Sequence, residues 1–135
     1  MCNLTTINVM SFVKNNTLDL PKLLRAQELS ARTAYRMTTV ELEKNKWDNI
    51  QQRDKLLGLS LTGWQDMVNA TKINRGDEKE ILKKLRQIAH DTANKYADEL
   101  GENRPVLITT VKPEGTLSQL PTVSSGVHYS HSPYY

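Results

Sequence analysis

Residues 77–111 read DEKEILKKLRQIAHDTANKYADELGENRPVLITTV and contain the two elements that decide the fold, a long helix and an apolar strand. Apolar side chains recur at helical spacing and Gly101 supplies a stop, so a helix is predicted over 78–100 with Asp77 as its capping residue. The β-branched run 106–111 that follows is typical of a strand buried on both faces, as in parallel sheets. Together they predict the end of a strand–helix–strand unit.

The upstream half of the chain supplies the other elements of this architecture. Residues 4–13 are rich in β-forming side chains and are predicted as a strand. Pro21 suits the first turn of a helix predicted over 20–50, with a weak point near residues 44–46. The short apolar run 56–61 fits either a buried strand or the start of a helix, and the strand is favoured. The order predicts an α/β fold with a partial parallel sheet and long helices.

Length and composition exclude several classes of protein. A chain of 135 residues is enough for one unit, 1–135, and no apolar run approaches the length that spans a bilayer. The single cysteine, Cys2, excludes a disulfide scaffold and a Cys-rich metal cluster, and no metal site is expected. Charges of both signs alternate along the helix at 78–100, so no direct nucleic-acid binding is expected. We expect a reducing, cytoplasmic location.

The loop at residues 113–118 is the candidate binding site, because open α/β sheets bind ligands at the carboxyl ends of their strands. It reads PEGTLS. Gly115 allows close approach of the backbone, Thr116 and Ser118 offer hydroxyl donors, and successive N–H groups can converge on an anion. The carboxylate of Glu114 would repel a phosphate unless it turned outward. The alternative interpretation is a simple turn with a helix cap.

Three segments together resemble the ribonucleotide reductases, above all the monomeric, adenosylcobalamin-dependent triphosphate type. Residues 109–135, TTVKPEGTLSQLPTVSSGVHYSHSPYY, resemble the substrate-phosphate segment. Residues 2–9, CNLTTINV, resemble the strand downstream of the finger loop, and residues 53–67, RDKLLGLSLTGWQDM, resemble the segment between them. The three stand in family order. The resemblance implies that the chain is an internal fragment of a ten-stranded catalytic α/β barrel, ending in the C-terminal segment 119–135.

The resemblance also implies site residues. Cys2 matches one of two cysteines that reduce the ribose and finish as a disulfide. The loop matches the segment whose N–H and hydroxyl groups hold the substrate phosphates, with its proline beside the base. The carboxyl side chain at its second position departs from the Ser or Thr often found there, so only its backbone N–H is carried over. The loop residues are Pro113, Glu114, Gly115, Thr116, Leu117 and Ser118.

Partners and cofactor follow from the same resemblance. It implies a ribonucleotide substrate, the remainder of the reductase polypeptide, a thioredoxin-type reductant, and adenosylcobalamin bound by the parent enzyme rather than by identifiable residues here. The Asn-x-Cys-x-Glu motif that carries the thiyl radical in the family is not in this sequence. We therefore expect the isolated chain to be inactive. The sequence leaves diphosphate or triphosphate substrates open, and the match to the monomeric type favours triphosphate.

The competing hypothesis is a stand-alone helical module that contacts nucleotides or another protein without catalysis. The two hypotheses differ in what they predict for the apolar run Val106–Val111. A free-standing module should bury these side chains within its own core. A barrel fragment should leave part of the run, and the end at Tyr134-Tyr135, without partners.

Overall fold

Strands and helices alternate along the backbone, and the structure, a computed structural model, describes residues 2–130 and 132. A 3-10 turn at Val9–Phe12 follows the first strand, and another lies at Leu117–Gln119. In chain order the strands and helices are β1 (Asn3–Asn8), β2 (Val13–Lys14), β3 (Thr17–Leu18), α1 (Leu20–Met37), α2 (Asn45–Asp54), β4 (Leu57–Thr62), α3 (Trp64–Thr71) and α4 (Arg75–Leu100).

Parallel pairing of β1 with β4 forms the centre of the sheet. The register runs without a slip from the pair Asn3–Leu57 to the pair Asn8–Thr62. Because side chains alternate along a strand, this register places the odd-numbered residues of both strands on one face and the even-numbered residues on the other. We call these the odd face and the even face. The odd face carries the buried Leu57 and Leu59.

Helices α1 and α4 cover the odd face. Their buried contact with it is built largely from alanines, whose small side chains let helices and strands approach closely. A second cluster lies beyond the carboxyl end of β1 and includes Leu23 of α1, Trp64 and Met67 of α3, and Leu85 of α4. Burying side chains of this size contributes about 1.5–3 kcal/mol each. The alanines are Ala31, Ala34, Ala89, Ala93 and Ala97.

The strand predicted over 4–13 is shorter, and this prediction was wrong at its carboxyl end. β1 ends at Asn8, whose side-chain oxygen accepts a hydrogen bond from the N–H of Met10 at 3.1 Å and starts the 3-10 turn. Local capping of this kind competes with the strand ladder. The chain then makes the small β2–β3 hairpin, whose turn residues Asn15 and Asn16 take φ values of 49° and 57°.

The helix predicted over 20–50 is two helices. α1 ends at Met37, where the Thr38 hydroxyl donates to the carbonyl of Tyr35 at 2.7 Å. A side-chain bond of this kind satisfies a carbonyl that the helix end leaves free. The break at residues 38–44 thus begins before the weak point at 44–46 that the sequence indicated.

The helix predicted over 78–100 begins three residues earlier, as α4. Its capping residue is Asn74, not Asp77, because the Asn74 side-chain oxygen accepts from the N–H groups of Gly76 at 2.8 Å and Asp77 at 3.0 Å. Asparagine and aspartate cap helices about equally well, so propensity alone did not choose between them. Gly101 ends the helix with φ of 68°.

The run predicted as a strand over 106–111 is an extended segment that pairs with β4 at a single bridge, Leu59–Thr109. The N–H groups of Leu57 and Leu59, two residues apart, bond to the carbonyls of residues 107 and 108, which are adjacent. This mismatch breaks the regular ladder. The prediction of burial on both faces was also wrong. Ile108 is buried, whereas Val106, Leu107 and Val111 are 65%, 61% and 70% exposed.

A buried lysine joins the start of β4 to the end of α4. Lys55 takes φ of 46°, and its ammonium lies 3.0 Å from the carboxylate of Glu102. The nearby Tyr35 hydroxyl donates to the carbonyl of Asn103 at 2.7 Å, and burial raises the pKa of Tyr35 to about 12. These contacts fix the position of the backbone at residues 102–103, just before the extended segment 106–111. Among the described residues, none of the helices has an apolar stretch sufficient to cross a bilayer.

Candidate functional site

The Glu114 side chain anchors the loop at residues 113–118. Glu114 takes φ of 56°, a left-handed conformation that costs a non-glycine residue free energy. Its carboxylate is buried, accepts a hydrogen bond from the Thr6 hydroxyl of β1 at 2.5 Å, and lies 3.0 Å from the Lys112 ammonium. The sequence raised the concern that this carboxylate would repel an anion. In the structure it is turned inward and paired with a cation.

The backbone amides after Glu114 are unpaired. Among residues 2–130 and 132, no acceptor contacts the N–H groups of Gly115, Thr116 or Leu117, and all three residues are exposed. The first paired amide is that of Ser118, which donates to the carbonyl of Glu114 at 2.9 Å. Consecutive free N–H groups carry partial positive charge and need acceptors. The loop therefore presents the donors that an anion requires.

Hydroxyl groups surround this row of amides in two different roles. The Thr116 hydroxyl is exposed and makes no hydrogen bond within the described part of the chain. The Ser118 hydroxyl is buried and bonds to the carbonyl of Gly115 at 3.2 Å and the hydroxyl of Ser125 at 3.1 Å. Ser118 thus stabilises the loop from inside, whereas Thr116 is available to a ligand. The exposed Pro113 precedes them.

Residues 122–128 hold the loop against β4. The N–H of Gly126 donates to the Thr62 hydroxyl at 3.2 Å, and that hydroxyl donates to the carbonyl of Ser124 at 3.1 Å. The N–H of Ser124 in turn donates to the Asp66 carboxylate at 2.6 Å. A Cβ atom at Gly126 would lie 2.5 Å from the carbonyl oxygen of Lys112, so only glycine fits this approach.

Cys2 lies apart from the loop, at the amino end of β1. It is exposed, and its sulfur would lie 3.0 Å from a Cβ atom at Gly58, which places it on the even face. Thr6, which contacts Glu114, is on the same face four residues along the strand, a span of about 13 Å. The structure therefore does not bring the two predicted parts of the site together, but it places them at opposite ends of one face of β1.

Two clefts flank the loop. A cleft of about 410 Å³ lies between the ends of the strands, at Thr6, Asn8 and Thr62, and the side of the loop formed by Leu117, Leu120 and Pro121. A cleft of about 980 Å³ lies on the other side and is lined by Gly115 and by hydroxyl-bearing residues between 122 and 132. The smaller cleft borders the even face that carries Cys2. Cys2 is not part of its lining and lies further along that face, at the amino end of β1.

Sequence reasoning missed three residues of this site. Thr6 is 108 positions from Glu114, and its place in an ordinary strand pattern gives no signal of that contact. Lys112 adjoins the loop and could have been found as a cation next to a carboxylate. No motif or spacing in the sequence pointed to Asp66, whose carboxylate accepts a hydrogen bond from the N–H of Ser124. The predicted loop Pro113–Ser118 follows the extended segment at residues 106–111, as the sequence indicated. The sequence spaces His128 and His131 as H-x-x-H, a pattern that can bind a metal but that has no further ligand near it. His131 lies outside the described residues, within which no cluster of three or more metal-ligating side chains occurs.

Comparison with curated proteins gives similarity to one enzyme family. The chain is 30% identical over 135 residues to an adenosylcobalamin-dependent ribonucleoside-triphosphate reductase of Lactobacillus helveticus, and 29% identical over 127 residues to the protein of that name from Euglena gracilis. The alignments cover 83% and 90% of this chain but 18% and 16% of the relatives, so the chain spans less than a fifth of their length. No protein-family model matches.

Comparison with solved structures gives the same fold. A crystal structure of a B12-dependent (class II) ribonucleotide reductase matches with a TM-score of 0.83 and 22% identity, over 96% of this chain and 21% of that protein. The alpha subunit of a class Id ribonucleotide reductase from Actinobacillus ureae matches with a TM-score of 0.73 and 19% identity, over 99% of this chain and 29% of that one. The α/β architecture is therefore that of one part of these proteins.

Replacing Gly126 by alanine tests the docking of residues 122–128. Gly126 and Gly101 both have positive φ, at 55° and 68°, but a Cβ atom at Gly101 meets nothing within 4 Å. Gly101→Ala should cost only backbone strain, about 1 kcal/mol, whereas Gly126→Ala should cost about 3 kcal/mol because it adds the clash with Lys112. Urea unfolding followed by circular dichroism measures both. Equal losses would contradict the close contact between residues 126 and 112.

Proposed function

The chain is homologous to one segment of the adenosylcobalamin-dependent ribonucleoside-triphosphate reductases, and on that basis we propose that it forms part of a ribonucleotide reductase. Such an enzyme converts ribonucleotides into 2′-deoxyribonucleotides for DNA synthesis. The chain would contribute a cradle for the substrate phosphates and one thiol that reduces the ribose. The observation that carries the proposal is the row of free amides at residues 115–117, beside a carboxylate that faces away from them.

The chemistry of the loop suits a nucleoside triphosphate. Phosphate oxygens accept several hydrogen bonds at once, and adjacent backbone amides can meet them without a lysine side chain. The Thr116 hydroxyl adds a further donor. The negative charge of Glu114 is compensated by Lys112 at 3.0 Å, so it opposes the approach of an anion less than a lone carboxylate would.

In this proposal, the substrate lies along the even face of β1, between the loop and Cys2. With the phosphate tail at residues 115–117, the nucleoside would extend along that face toward Cys2. The distance of about 13 Å from Thr6 to Cys2 is comparable to a ribose with its extended triphosphate. Reduction of the ribose then takes two electrons and two protons from Cys2 and a second thiol. The 2′-hydroxyl leaves as water, and the two sulfurs join as a disulfide.

The second thiol and the cofactor belong, in this proposal, to polypeptide outside the 135 residues. Cys2 is the single cysteine of the sequence. A corrin needs a wide apolar surface, whereas half of the residues that line the cleft of about 980 Å³ carry hydroxyl groups, so this cleft does not fit adenosylcobalamin. We expect a thioredoxin-type protein to reduce the disulfide again, no direct contact with nucleic acid, and a cytoplasmic enzyme.

The alternative of a stand-alone binding module is not favoured. It predicts that the apolar run Val106–Val111 is buried, yet only Ile108 is. Val106, Leu107 and Val111 face solvent in an extended segment that joins β4 at a single bridge. Exposed apolar side chains on an extended edge are typical of a surface that another strand or domain covers. The end at Tyr134-Tyr135 lies outside the described residues.

Replacing Thr116 by valine tests the phosphate cradle. The change removes one exposed hydroxyl and keeps the shape, so it should weaken binding of inorganic tripolyphosphate by about tenfold or more, because a hydrogen bond to a charged oxygen contributes about 1.5–3 kcal/mol. Titration followed by ¹H–¹⁵N NMR measures the affinity and shows which amides shift. In the unchanged chain, the amides of Gly115, Thr116 and Leu117 should move most.

The control is Thr33→Val, which makes the same chemical change at an exposed position of α1. It should leave the affinity unchanged, and neither variant should lower the unfolding midpoint appreciably. If tripolyphosphate shifts amides elsewhere and leaves residues 115–117 in place, the cradle is wrong.

Alkylation of Cys2 tests the direction of the substrate. The thiol is exposed, so iodoacetamide should modify it readily. A ribonucleoside triphosphate should slow this reaction, because its ribose lies beside the sulfur. Tripolyphosphate at the same occupancy should not slow it, because its site lies beyond Thr6, which is itself about 13 Å from Cys2 along β1. Mass spectrometry over time measures the rate. Equal protection by both compounds, or by neither, would contradict the proposed path along the even face.

A further inference from the structure

We propose that Glu114 and Thr6 form the positioning contact of the phosphate loop, so that a hydroxyl on β1 sets where the free amides stand. The inference rests on the proposed function and extends it to residues whose side chains do not touch the substrate. The Thr6 hydroxyl donates to one carboxylate oxygen of Glu114 at 2.5 Å, and the Lys112 ammonium lies 3.0 Å from the other.

Burial makes this contact strong. The Glu114 side chain has no exposed surface, and Thr6 is half-buried. A carboxylate withdrawn from water must find its partners within the protein, so both oxygens depend on these two groups. The loop therefore has little freedom to turn Glu114 outward, where its charge would face a bound phosphate.

The backbone of the loop depends on the same contact. Glu114 has φ of 56°, which a glutamate adopts only when its surroundings compensate the strain. The left-handed residue precedes three N–H groups that find no acceptor among the described residues 2–130 and 132. Without the bond to Thr6, residue 114 can relax toward negative φ, and the row of amides then loses its alignment.

The contact also links the two ends of the proposed substrate path. Thr6 is on the even face of β1, the face that carries Cys2. A loop fixed to Thr6 is held at a set distance from the thiol, because a β-strand is a stiff spacer with a rise of about 3.3 Å per residue. Thr6 thus acts as a positioning residue for phosphate binding and for the alignment of ribose with sulfur.

Thr6→Val and Thr6→Ser test this role, with tripolyphosphate as the probe and the 135-residue chain as the protein. Valine keeps the shape and removes the hydroxyl, so affinity should fall about fivefold, the range of one buried hydrogen bond, and the unliganded amide signals of Gly115 and Thr116 should shift. Serine keeps the hydroxyl, so affinity and signals should stay near those of the unchanged chain. Rescue by serine separates loss of the bond from loss of strand packing.

The matched control is Thr5→Val. Thr5 is the neighbouring residue on the odd face, and its hydroxyl bonds to that of Ser30 in α1 at 2.7 Å. Its replacement removes a hydrogen bond of similar length and should lower stability, measured by urea unfolding, without changing affinity for tripolyphosphate. If Thr5→Val weakens binding as much as Thr6→Val, the effect is general destabilisation and the positioning role is overturned.

Glu114→Ala gives an independent outcome. If the carboxylate anchors the loop, its removal should weaken the binding of tripolyphosphate. As a mere negative charge near the anion, its removal should strengthen binding, because it leaves Lys112 unpaired. Tighter binding would overturn the inference.

The proposed function has a separate test in the unchanged chain. If tripolyphosphate moves the 115–117 amides there while Thr6→Val binds equally well with unshifted signals, only the positioning role fails.

Discussion

The parallel register of β1 on β4 decides which side chains enter the core and which reach the loop at residues 113–118. Backbone hydrogen bonds fix the pairing, and the alternation of side chains then separates two environments. Residues such as Ile7 and Leu59 must face the helices, since burying them drives the packing of α1 and α4. Thr6 and Cys2 are left on the opposite face. A slip of one residue would exchange the faces and remove both the core and the proposed site.

The loop depends on this pairing through contacts that reach it from two sides. Thr6 holds the Glu114 carboxylate from β1, while Gly126 packs against the backbone of Lys112 and bonds to Thr62 at the end of β4. The strained backbone of residue 114 is thus compensated by neighbours that the sheet positions. Free amides follow directly from that conformation. Binding in such a site needs little rearrangement, because its donors are already arranged.

The sequence indicates the architecture well because helices and buried strands have local periodic signals. The apolar spacing of α4 and the run that became β4 are both of this kind. Asn74 and Asp77 cap helices about equally well, so propensity did not place the start of α4. The contact of Thr6 with Glu114 joins residues 108 positions apart, and only the folded sheet brings them together. In the same way, the exposure of Val106, Leu107 and Val111 depends on which elements pack beside residues 106–111, and an apolar run alone does not indicate this.

In the proposed function, the amides of residues 115–117 bind the anionic tail of a nucleotide. A crystal structure of the chain with a ribonucleoside triphosphate would show whether they do. We expect phosphate oxygens at about 3 Å from the backbone nitrogens of Gly115 and Thr116. Glu114 should remain bonded to Thr6, and the ribose should point toward Cys2. A nucleotide bound in the larger cleft, with these amides still free, would contradict the account.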